Sequence, residues 1–82
     1  MRAPTNPFQF DPLAKAAQFE DMAARCLAGY FRMVDEARAL ADNGDATGAD
    51  YAIVGAAGRL RDHRYWLSRA AQARAEIRHG EA

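Results

Sequence analysis

From Ala16 to Leu40, apolar residues recur in steps of three and four: Ala16, Phe19, Ala23, Cys26, Tyr30, Met33, Ala37 and Leu40. This is the heptad-like rhythm of a helix that packs along a seam. A second row, Leu27, Phe31, Val34 and Ala41, widens the stripe beyond what one facing helix covers. Asp11-Pro12 is a good start: the carboxylate accepts from orphan N–H groups, and proline fits the first helical position. Asn43-Gly44 is a good stop, because glycine takes the left-handed conformation freely. The pattern therefore predicts a helix over about 11–42.

A second periodic stretch follows a short turn, 43–46. Thr47 with Asp50 three residues on resembles a capping box and predicts a helix over about 47–79, with Gly80 as its stop. Its heptad seam reads Ile53, Ala56, Leu60, His63, Leu67, Ala70, Arg74 and Ile77. So short a connection forces the two helices antiparallel. Counting outward from the turn sets Leu60 opposite Tyr30, Leu67 opposite Ala23 and Ile53 opposite Ala37. Gly55 and Gly58 fall level with Val34 and Phe31, so bare backbone there would admit a bulky neighbour. The expected fold is all-α: an extended N-terminal arm over residues 1–10, then a long antiparallel two-helix hairpin over 11–82. Two helices cannot cover both apolar rows. Dimerisation into a four-helix bundle, or a partner protein, is expected to complete the structure.

Composition sharpens that need. Half of the 82 residues are apolar, but alanine supplies many of them and contributes little burial energy. Net charge is zero, so nothing draws the whole chain to nucleic acid or acidic lipid. The halves differ: five basic against eight acidic residues up to position 50, then six against three. Opposite signs on the two helices would face one another. Cys26 is the one cysteine, which excludes an internal disulfide and a cysteine-based zinc finger. The opening "MRAPTNPFQF" lacks the apolar core of a signal peptide, and the longest uncharged apolar run, Tyr51–Gly58, is too short to cross a bilayer. A cytoplasmic location is the expectation. Ten arginines against one lysine, with abundant alanine, fit a GC-rich bacterial or phage gene.

Few groups point to chemistry. His63 falls near Cys26 in the expected register, a pairing that can make a thiolate or half a metal site. No third orienting group is visible, so both residues are read as seam fillers. Glu76 and His79 have the Glu-x-x-His spacing of di-iron bundles, but a second motif and inward glutamates are lacking. No enzyme activity, metal or cofactor is therefore expected. "RLRDHRYWLSR", Arg59–Arg69, interleaves arginines with Tyr65 and Trp66. Such a stretch can bind phosphate and stack on bases, which makes a small nucleic-acid-binding protein an alternative. Asp62 and the zero net charge count against it. Arginine and tryptophan also anchor protein interfaces. Trp66 lies outside the expected seam, with Arg59, Arg69 and Tyr65 near it. These four, with Phe8 and Phe10 on the arm, are the expected partner-binding residues. The expected role is that of an accessory subunit, adaptor or inhibitor acting on a larger protein or on a second copy. The Asn6–Phe8 tripeptide and the long alanine-rich helix are also similar to phasins; that resemblance implies an alternative role in coating a hydrophobic surface.

Overall fold

The computed structural model describes residues 11–81, with side chains as far as Ile77. The arm, including Phe8 and Phe10, lies outside the described residues, as do the His79 side chain and its Glu-x-x-His motif. Two helices, α1 (Pro12–Asp42) and α2 (Ala46–Glu81), pack side by side as an antiparallel hairpin. The expected all-α hairpin is present.

Local chemistry sets the helix ends. The Asp11 carboxylate accepts from the Leu13 N–H at 3.0 Å, and Pro12 occupies the first turn. At the other end of α1, Gly44 N–H donates to the Ala41 carbonyl at 3.0 Å and Asp45 N–H to the Leu40 carbonyl at 2.9 Å. This is a Schellman closure, and Gly44 at φ 83° supplies its left-handed residue. Asp45 then caps α2, its side chain accepting from Gly48 N–H at 2.8 Å and its carbonyl from Ala49 N–H at 3.0 Å. The expected capping box at Thr47 and Asp50 is thus displaced by Asp45, the nearer carboxylate. Gly80 does not end α2, which continues to Glu81.

The seam of α1 is the expected one. Ala16, Ala23 and Ala37 are buried, with Phe19, Cys26, Tyr30, Met33 and Leu40 half-buried between them. The seam of α2 is so only in part: Ala56, His63 and Ala70 lie on it as expected, while Ile53 and Leu67 do not. Ala49, Ala52, Ala56, Ala70 and Ala73 are buried, and His63 and Trp66 fill the steps between. The helix is turned by part of a residue step from expectation, leaving Ile53 at 51 % and Leu67 at 44 % exposure. Small residues shorten the distance between helix axes, so two backbones zip along alanine while longer side chains are turned out.

That choice fixes the energetics. Every buried apolar side chain among the described residues is alanine, and no large side chain is fully buried. Each buried carbon contributes about 0.8 kcal/mol, so an alanine seam gains far less than a leucine seam of equal length.

Candidate interaction surface

A two-helix hairpin has two flat sides beside its seam. On the first, α1 presents Leu27 and Val34 half-buried and Phe31 at 56 % exposure; α2 presents Ile53, Leu67 and the half-buried Leu60. These positions follow from the seams. Leu27, Val34 and Ala41 repeat every seven residues beside one seam row, and Ile53, Leu60 and Leu67 do so beside the other. An apolar groove of about 330 Å³ opens where the rows meet near the turn, lined by Val34, Ala37, Arg38, Ala41, Ala49 and Ile53. Charges bracket this side. Arg38 and Asp50 lie toward the turn. Toward the open end, Arg74 Nη2 donates to Glu20 Oε1 at 2.7 Å. The hydrogen bond and the charge of Glu20 raise the exposed Arg74 guanidinium above its ordinary range. Among the described residues this is the one ion pair that crosses between the helices, so the expected facing of charged halves is local rather than general.

The second side carries the arginines and aromatics singled out in the sequence. Trp66 stacks on Phe19 across the hairpin, with ring centroids 5.6 Å apart and planes at 24°. Tyr65 meets Trp66 edge-on at 5.0 Å. Arg69 sets its guanidinium over the Phe19 ring at 5.3 Å, and its Nη1 donates to the Tyr65 hydroxyl at 3.4 Å. Arg59 lies apart from this cluster, its stem across Gly29 with Cδ 3.5 Å from where a Cβ would stand. The placement of Trp66 outside the seam is therefore corrected: it is half-buried and packed within the hairpin. Tyr65, Trp66 and Arg69 come together, Arg59 does not join them, and a hollow of about 350 Å³ beside Trp66 is completed by Gln18, Phe19, Asp21 and Met22.

The two glycines part company. The Met33 terminal methyl occupies the place of a Gly55 side chain, and its sulfur lies 3.2 Å from that point. Close approach is thus real at Gly55. At Gly58 the nearest atom to an added Cβ is Arg61 Nη2 of the same helix, 3.7 Å away, so the expected packing role there is corrected. His63 does sit on the seam. Its Nδ1–H donates to the Ala23 carbonyl at 2.7 Å, a tie to backbone that fits a structural residue. Cys26 is free and half-buried. No group of three potential metal ligands gathers among the described residues.

What sequence reasoning missed is the outward row of α2. The signal was present in the alanines: Ala49, Ala52, Ala56, Ala70 and Ala73 also keep three-four spacing. No helix among the described residues is long and apolar enough to cross a membrane. Compared with protein-family models, curated proteins and solved structures, the chain matches none.

Proposed function

We propose that this chain is a non-enzymatic protein–protein interaction module, an accessory subunit, adaptor or inhibitor that works by presenting one apolar side of a helical hairpin. One observation carries the reading. The seam buries only alanine, while Phe31, Ile53 and Leu67 stay 44–56 % exposed along one side. A short chain with so slight a core needs further burial to offset its ordering entropy. A contiguous apolar row between charged ends marks an interaction surface.

Thermal melting by circular dichroism, across a wide dilution series, tests this. The melting temperature is expected to fall on dilution, or the free chain to be poorly folded until a partner is added. A monodisperse monomer with a high, concentration-independent melting temperature would refute it. Tight adsorption of such a monomer to an oil–water interface would favour the surface-coating alternative.

A further inference from the structure

We infer that Phe8, on the arm outside the described residues, seats in the hollow beside Trp66 and caps the aromatic side of its own hairpin. The inference stands apart from the interaction-module reading, which concerns the other side. The hollow has about 350 Å³ of space, bounded by the rings of Phe19 and Trp66, the Met22 side chain, and a polar rim of Gln18 and Asp21. Its lining is mostly apolar, yet it opens to solvent, with Met22 at 40 % exposure. The hairpin has no side chain to spare for it. Phe19 and Trp66 are stacked on each other, and Tyr65 takes the Trp66 edge.

Chain length and direction select Phe8. Asp11 stands two turns before Gln18, so both lie on one line along α1, about 10 Å apart. The chain thus enters α1 on the face that carries the hollow. Asp11 is extended, at φ −95° and ψ 107°, as residues before proline are. The three residues from Asp11 back to Phe8 span about 10 Å when extended. An arm folded back along α1 therefore sets Phe8 level with Gln18, its ring directed at Phe19 and Met22. Phe10, next to Asp11, is confined to the first turn. The apolar groove near the turn is out of range of Phe8, since Val34, the first of its residues along α1, lies about 35 Å from Asp11. The chemistry of the arm agrees. From Ala3 to Phe10 it carries no charge into the site. Pro7 restricts the backbone beside Phe8, so docking orders fewer conformations. The flexible thioether of Met22 adapts readily to the edge of an aromatic ring.

Trp66 is the one tryptophan, so its fluorescence reports on the hollow directly. In the full-length chain, Phe8→Ala should shift Trp66 emission to longer wavelength and expose it to acrylamide quenching, with helicity by circular dichroism near wild type. The melting temperature at equal concentration should fall by about 5–10 °C. Phe8→Leu should recover most of both effects, and Phe10→Ala should leave the emission unchanged. In a mixture of isotope-labelled and unlabelled wild-type chains, nuclear Overhauser contacts between the Phe8 ring and the Met22 methyl should arise within one copy. Unchanged emission in Phe8→Ala, or an equal shift in Phe10→Ala, overturns the inference. Contacts found between copies overturn it as well and assign the arm to a second chain. An effect of Phe8→Ala on binding to another protein, with Trp66 emission unmoved, returns Phe8 to the role of partner anchor. A wild-type chain without a stable hairpin also overturns it, because the hollow exists only in the folded pair of helices.

Discussion

Phe31 and Tyr65 are aromatic residues of nearly equal exposure, 56 % and 51 %, on opposite flat sides of the hairpin. Around Tyr65 the chain supplies its own cover: Trp66 at its edge, Arg69 on its hydroxyl, Phe19 beneath Trp66. Around Phe31 the ring contact is with the adjacent Tyr30, at 5.3 Å, and the neighbouring rows are aliphatic. An arginine beside an aromatic has two uses, to grip a partner or to shield the ring within the chain. Arg69 takes the second use toward Phe19. The aliphatic row beside Phe31 has no such partner within the described residues.

A matched pair of substitutions breaks or upholds this contrast. Phe31→Glu is expected to weaken association by at least about a hundredfold, as burial of a charge without a partner does at the centre of an interface. Tyr65→Glu should change it by less than about threefold, the new carboxylate lying one turn from Arg69. Light scattering and sedimentation measure both. If Tyr65→Glu is the disruptive change, the arginine side is the interface.

Trp66→Ala sharpens the contrast from within the hairpin. Removal of a half-buried indole from its stack on Phe19 should cost about 2 kcal/mol of stability, seen as a lower melting temperature. Association of the protein that remains folded should be unchanged. A large loss of affinity at constant stability would return Trp66 to the role of interface anchor.

The glycines give the smallest effects. Gly58→Ala meets only an ordinary contact with Arg61 Nη2 and should stabilise by about 0.5–1 kcal/mol. Gly55→Ala has the same intrinsic advantage but must move the Met33 methyl, so its gain should be smaller. Denaturant melts of the two variants side by side would show it, and equal gains would remove the case for a notch at Gly55.

Much of the fold was legible because it rests on local chemistry. Asp11-Pro12 and Asn43-Gly44 specify their ends through hydrogen bonds a few residues long, and both stand as read. The α1 seam was legible because its large residues, Phe19, Tyr30, Met33 and Leu40, lie between the alanines. The α2 seam was legible at Ala56, His63 and Ala70 alone, because periodicity weights Ile53, Leu60 and Leu67 above alanine, whereas two backbones approaching closely select the smallest side chains. A turn of part of a residue step followed, carrying Trp66 inward and the aliphatic row outward. The candidate surface was therefore visible in α1, as the second row Leu27, Phe31 and Val34, and hidden in α2. The Asp45 cap was missed for a related reason: Thr47 and Asp50 match a motif, but a carboxylate directly after Gly44 reaches the free N–H groups first.

A run of alanine is smooth, and a smooth track lets two helices slide by a heptad at little cost in packing. Four features hold this hairpin at one setting: the three-residue turn, the Met33 methyl seated at Gly55, the His63 tie to the Ala23 carbonyl and the Phe19–Trp66 stack. Slippage of one helix past the other would shift Ile53 and Leu67 along the chain axis relative to Phe31 and Val34. The outer side would then present a different arrangement while its composition stayed the same. The seam thus acts as a ruler whose stops, more than its alanines, determine what the far side of the hairpin can recognise.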